Sequence, residues 1–122
     1  MSAKILIVDD SEVARKELRS LLESKVYQFV ECENGKLGLE AFKSDPDIAL
    51  VLTDVNMPVM GGLEMCEGIQ ELNRPKVPII VISSGCSQEL KDQGKNAGVT
   101  AWIVKPIDGD IFVQGIESLL SQ

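Results

Sequence analysis

Short apolar runs punctuate the chain, and each stops on polar residues. Lys4-Ile5-Leu6-Ile7-Val8 ends on Asp9-Asp10, and Ala49-Leu50-Val51-Leu52-Thr53 ends on Asp54. Pro78-Ile79-Ile80-Val81-Ile82 ends on Ser83-Ser84, and Ala101-Trp102-Ile103-Val104 ends on Lys105-Pro106. Tyr27 to Glu33 is a weaker run, second in chain order. Runs this short and β-branched predict strands buried on both faces of a parallel sheet.

Helical spacing fills the gaps between them. Ala14, Leu18, Leu21 and Leu22 predict a helix from about Ser11 to Ser24, with Ser11 as N-cap. Asn34-Gly35 opens a short helix carrying Leu37, Ala41 and Phe42, which Asp45-Pro46 ends. Met57-Pro58 and Gly61-Gly62 form a turn before a helix bearing Met65, Ile69 and Leu72, and Phe112, Ile116, Leu119 and Leu120 mark the last helix. The fourth, Gln88 to Ala97, is the weak one. Only Leu90 and Ala97 look core-facing, and Gly94 in its interior costs about 1 kcal/mol relative to Ala. A helix with so little to pack is marginal, which describes a moving part or an exposed edge helix equally well. Five strand–helix units make an α/β, doubly wound parallel sheet.

In such sheets ligands bind beyond the carboxyl ends of the strands. If the strands ending on Asp9-Asp10 and on Asp54 are neighbours, three carboxylates converge there. Mutual repulsion then calls for a cation or a shared proton. Helix-start acids favoured by the dipole are the bland alternative, but they explain poorly why two acids end a buried strand.

Composition narrows the function. At 122 residues and 44% hydrophobic the chain is one ordinary domain, taken here as 1–122. Its net charge of −7 argues against nucleic acid or an anionic membrane as partner, since Lys and Arg dominate binding to phosphates. No apolar stretch approaches the ~20 residues of a membrane span, and Met-Ser-Ala-Lys leads straight into the first strand, which leaves no room for a signal peptide. Cys32, Cys66 and Cys86 are odd in number and widely spaced, as expected of reduced thiols in a cytoplasmic protein.

The strand-end residues, in order and spacing, resemble the receiver domain of two-component response regulators, and single-domain chemotaxis regulators of the CheY type in particular. Val8-Asp9-Asp10-Ser11, Thr53-Asp54-Val55-Asn56-Met57-Pro58, Gly61-Gly62, Ile82-Ser83-Ser84, Ala97-Gly98 and Lys105-Pro106 carry it. The resemblance implies a flavodoxin-like (βα)5 fold with strand order 2-1-3-4-5. It also implies a phosphoryl group accepted on Asp54 from a sensor histidine kinase or phosphotransfer protein, without enzymatic turnover of a separate substrate. Mg2+, or Mn2+ in its place, would be held by Asp9, Asp10, Asp54 and the main-chain carbonyl of Asn56. Charge counting agrees, because three carboxylates, one Lys and one Mg2+ sum to zero. Lys105 and the Ser83 hydroxyl would contact phosphoryl oxygens, and Lys105-Pro106 would be a cis peptide. Ser83 and Trp102 match the family's switch pair, where Tyr or Phe is usual at the second position. An indole is bulkier and its N–H needs a partner, so Trp102 is read either as a mover or as a packing residue. The fourth helix, fifth strand and fifth helix would form the output face for a downstream protein such as a flagellar motor switch protein. The protein itself would be a monomer.

Other readings fit less well. A haloacid dehalogenase-type phosphatase places its nucleophile after the first strand with a second Asp two residues on, whereas Asp9 is followed by Asp10 and Ser11. Two carboxylates there would also repel a flavin phosphate. A phosphorylation-independent pseudo-receiver is opposed by the intact acidic trio. A receiver cut from a larger regulator is the remaining alternative, and an end at Ser121-Gln122 without a linker favours the stand-alone form.

Overall fold

The predicted apolar runs become the strands of one parallel sheet in a computed structural model that describes residues 3–23 and 26–121. In chain order the elements are β1 (Ala3–Val8), α1 (Glu12–Leu22), β2 (Tyr27–Cys32), α2 (Gly35–Ser44), β3 (Ile48–Thr53), α3 (Gly62–Gln70), β4 (Ile79–Ser83), α4 (Gln88–Asn96), β5 (Ala101–Val104) and α5 (Gly109–Leu120). The sheet order is β2-β1-β3-β4-β5, the order the resemblance implied. Ser24, where the first helix was expected to end, lies outside the described residues.

Alternation along the central strands explains why they are buried on both faces. Ile5, Ile7, Leu50, Leu52, Ile80 and Ile82 face α1 and α5, where Leu18, Leu22, Phe112 and Ile116 meet them. Leu6, Val8, Val51 and Ile79 face the other way, against Phe42 of α2 and Met65, Cys66 and Ile69 of α3. Each such side chain contributes about 1.5–3 kcal/mol on burial, so β1 and β3 sit in the best-anchored part of the molecule. Side-chain oxygens of Ser11, Asn34, Ser87 and Asp108 cap the helices that follow them, each accepting the amide three residues on.

Three sequence expectations need correction. Leu37 was placed on the buried stripe of α2, but it is exposed; Gly38 and Phe42 occupy the inward positions instead. Leu72 falls beyond the end of α3, and Cys66 packs into the core in its company. In α4, Leu90 is only partly covered while Gly94 is the buried residue of the helix. A Cβ at Gly94 would stand 3.0 Å from Trp102 Cζ3, so the glycine lets the indole lie against the helix.

Candidate functional site

Register brings the acids together. Val8 of β1 pairs with Cys32 of β2 on one side and Thr53 of β3 on the other, so Asp9 and Asp54 leave adjacent strands at one level. The amide of Asp54 donates to the Val8 carbonyl at 3.1 Å, and the amide of Asp9 to Cys32 at 3.1 Å. One carboxylate oxygen from each of Asp9, Asp10 and Asp54 lies within 4.8 Å of the others. Across the same end of the sheet, Ser83 pairs with Val104, and the Lys105 amide donates to the Ser83 carbonyl at 2.9 Å. Lys105 Nζ stands 4.0 Å from Asp9 Oδ2, and the Lys105-Pro106 peptide is cis. Thus Asp9, Asp10 and Asp54 cluster with Lys105 beside them, and Ser83 ends β4 at the same edge of the sheet.

The three acids are held differently. Asp9 is buried, and its Oδ1 accepts the Ser11 amide at 2.9 Å. Burial pushes the Asp9 carboxyl above the usual carboxylate range; the Ser11 amide and Lys105 oppose the rise, and the charges of Asp54 and Asp10 add to it. Asp54 is half-buried, with Oδ1 accepting the Val55 amide at 2.7 Å. Asp10 is exposed. Three clustered carboxylates with one Lys leave net negative charge among hard oxygen donors, which fits a divalent hard cation such as Mg2+. Asn56 lies exposed on the loop that follows Asp54. Ser83 is buried, its hydroxyl accepting the Gly85 amide at 3.3 Å, whereas Ser84 is exposed; this separates the two serines that the sequence left adjacent.

The loop carrying Asp54 into α3 is tightly built. The Thr53 hydroxyl donates to the Asp54 carbonyl at 2.8 Å, and the Gly62 amide donates to Val55 at 2.9 Å. A Cβ at Gly62 would fall 2.0 Å from the Asp54 carbonyl oxygen, so only glycine lets α3 start this close to the acid. Val59 sits at φ 70, with the Met60 amide donating to the Pro58 carbonyl at 2.7 Å. This is a γ-turn of the strained positive-φ kind, costing on the order of 1–3 kcal/mol for a β-branched residue.

Sequence reasoning missed Arg15. Its Nη1 donates to the Asp9 carbonyl at 2.5 Å, and its Nε donates to Glu31 on β2 at 3.2 Å. No local pattern marks it, because its partners come from the neighbouring strand ends. On the output side, Trp102 is partly buried, and its indole N–H is buried with no hydrogen-bond partner. The sequence concern over that N–H therefore stands as a structural fact.

Comparison with known proteins agrees with this geometry. The family model for the response regulator receiver domain matches residues 5–117. The chain is 34% identical over 122 residues to the chemotaxis protein CheY of Halobacterium salinarum, covering 99% of each. It is 32% identical over 117 residues to the transcriptional regulatory protein CseB of Streptomyces coelicolor, covering 95% of this chain but 48% of that one. Among solved structures, a chain of the CheX-CheY-BeF3-Mg2+ complex from Borrelia burgdorferi aligns with TM-score 0.88 at 27% identity, covering 98% of this chain and 90% of that chain. Fold, strand-end residues and relatives converge: the chain belongs to the response regulator receiver domain family of two-component signalling.

Proposed function

We propose that Asp54 is the phosphoacceptor, taking a phosphoryl group from a phosphohistidine of a sensor kinase or phosphotransfer protein with Mg2+ at the acidic site. The observation that carries this reading is the meeting of Asp9, Asp10 and Asp54 within 4.8 Å, with Lys105 beside them. Bound Mg2+ would supply charge neutralisation and orientation, held by Asp9, Asp10, Asp54 and the Asn56 carbonyl. An Asp54 carboxylate oxygen attacks phosphorus as the phosphorus–nitrogen bond to the donor imidazole breaks. The Val55 amide holds the other carboxylate oxygen and so orients the attacking one. Lys105 and Ser83 then pair with phosphoryl oxygens from the β5 and β4 ends. Val13, Val59 and Ile111 lie exposed at this end of the sheet and supply apolar rim for the donor protein.

The phosphorylated state is read through α4, β5 and α5 by a downstream protein, with a flagellar motor switch protein as one target class in keeping with the likeness to chemotaxis proteins. Near-complete mutual coverage with the CheY of Halobacterium salinarum is in keeping with one receiver domain over 1–122. The partial coverage of CseB supports the second reading, a receiver within a longer regulator. In either form the domain is a signalling protein rather than an enzyme with its own substrate. Among the described residues no helix is long and apolar enough to cross a membrane.

Trp102 is the only tryptophan, so its emission reports on β5 and α4, the proposed output side. Adding Mg2+ and then beryllofluoride is expected to change it in the wild type and not in Asp54→Asn. An identical response in both proteins would sink the assignment of Asp54. Gly85 leaves open space where other side chains would shield an acyl phosphate from water. Gly85→Tyr should therefore lengthen the lifetime of phosphorylation, and an unchanged decay rate would refute that role.

A further inference from the structure

The two acids that close β1 are not equally supported. The main-chain amide of Asp9 is tied to β2 through Cys32, and its Oδ1 to the Ser11 amide. Asp10 is exposed and makes no hydrogen bond among the described residues. What fixes its direction is the peptide plane joining it to Asp9, because the peptide unit is rigid and planar. Of the two polar groups on that plane, the Asp10 amide makes no hydrogen bond among the described residues, and the Asp9 carbonyl is gripped by Arg15 Nη1 at 2.5 Å.

Arg15 is in turn held. Its Nε donates to Glu31 Oε1 at 3.2 Å, and the other oxygen of Glu31 takes Arg19 Nη1 at 2.5 Å. Glu31 pairs in register with Ile7, two residues before Asp9, so the anchor is a strand next to the one it serves. Arg15 is also well covered, its side chain only 15% exposed. Exposed ion pairs contribute little, but a planar guanidinium spanning a carboxylate and a carbonyl in fixed fork geometry transmits orientation. Lys has one nitrogen on a flexible stem and cannot bridge both acceptors in that way.

We propose that Arg15, anchored by Glu31 and buttressed by Arg19, is a positioning residue of the acidic site. By holding the Asp9 carbonyl it sets the Asp9–Asp10 peptide plane and with it the aim of both carboxylates at the cation. This rests on the divalent-cation reading above. Loss of such a supporting contact costs roughly 10–100-fold in metal affinity.

The test is Mn2+ binding, read as loss of the free Mn2+ paramagnetic signal, in wild type, Arg15→Met, Arg15→Lys and Glu31→Gln. Alongside it, amide hydrogen exchange is followed at Asp9 and Ser11 in the metal-free proteins. Arg15→Met should weaken Mn2+ binding about tenfold, with Arg15→Lys recovering little. Glu31→Gln, which keeps the carbonyl contact but loosens its anchor, should lose less. Exchange at Ser11 should quicken in Arg15→Met while that of Asp9, bonded to Cys32, stays slow. Wild-type affinity in Arg15→Met, or a lowered melting temperature with affinity intact, overturns the proposal. If Arg15→Met does not fold, Arg15→Lys and Glu31→Gln decide it by the same affinities. A wild type that binds no Mn2+ defeats the cation reading itself, and the exchange arm then decides separately: unchanged Ser11 exchange in Arg15→Met would show that Arg15 positions nothing.

Discussion

The β1–β3 end and the β4–β5 end of the sheet carry the same site but are built to different standards. In β1 and β3 the apolar residues from Ile5 to Val8 and Leu50 to Leu52 are fully buried. Asp9 and Asp54 leave them with main-chain and side-chain bonds already made. On the other side, β5 spans only Ala101–Val104, with both end residues exposed. Its Trp102, with a buried and unpaired indole N–H, lays its ring carbons against an α4 whose only buried residue is Gly94. An unpaired buried N–H costs about 1–3 kcal/mol. On the proposed function the acceptor and the cation-holding acids leave the well-anchored β1 and β3, while Ser83 and Lys105 reach in from the ends of the buried β4 and of β5. The readout would fall to the loosely held β5 and α4. A switch needs this division, since the acceptor must be aimed before reaction while the responding element must have somewhere to go.

Substitutions can break the contrast. The largest effect is expected from Gly62→Ala, whose Cβ would strike the Asp54 carbonyl. It should cost about 3 kcal/mol in denaturant unfolding and abolish acceptance of phosphate. Gly85→Ala, in open space on the other half, should stay within about 0.5 kcal/mol of wild type. Equal costs at the two glycines would erase the distinction.

Next in size is Asp9→Asn. Burial raises the Asp9 pKa, so its ionised form opposes folding. The metal-free wild type should gain stability as pH falls through the raised value and lose it again as pH rises. Asp9→Asn should lack this dependence and be more stable than wild type near neutrality when no metal is present. Thermal melts across pH with a chelator would check both, and a destabilised Asp9→Asn would mean the trio is not in conflict.

A smaller effect tests the readout half. Ala for Gly94 should gain about 1 kcal/mol in helix propensity, but its Cβ meets the indole at 3.0 Å. The two should nearly cancel, leaving a shifted Trp102 emission. Full stabilisation with unchanged emission would show that the indole does not depend on that glycine.

The smallest lies at the far end of β1, where Lys4 Nζ donates to Asp45 Oδ2 at 2.8 Å. That bond lowers the Asp45 pKa, so its contribution is present above the ordinary carboxylate range and lost as pH falls through the lowered value. Lys4→Met should flatten this acid-side dependence and leave phosphorylation untouched. A phosphorylation defect would couple the two ends of β1 in a way the structure does not suggest.

Much of this was legible in the sequence for a physical reason. Asp9, Asp54, Ser83 and Lys105 each follow the last residue of an apolar run or end it, and a parallel sheet brings such ends together. What was not legible depends on contacts between elements. Gly94 read as a defect because nothing local announces a ring from β5 lying on it. Leu37 read as core because helical spacing cannot tell which side of a short stripe is covered, and Gly38 lies buried one residue on. Arg15 looked like any basic residue on an exposed helix face until β2 placed Glu31 beside it.

The most direct test of the central claim is transfer to Asp54 itself. Wild type, Asp54→Asn and Lys105→Met are incubated with acetyl phosphate, with Mg2+ or with a chelator, and read by intact mass and peptide mapping. The expected result is one phosphoryl group on Asp54 in wild type, only with Mg2+, none in Asp54→Asn and little in Lys105→Met. Phosphorylation that persists in Asp54→Asn at wild-type yield, or that ignores Mg2+, would contradict it.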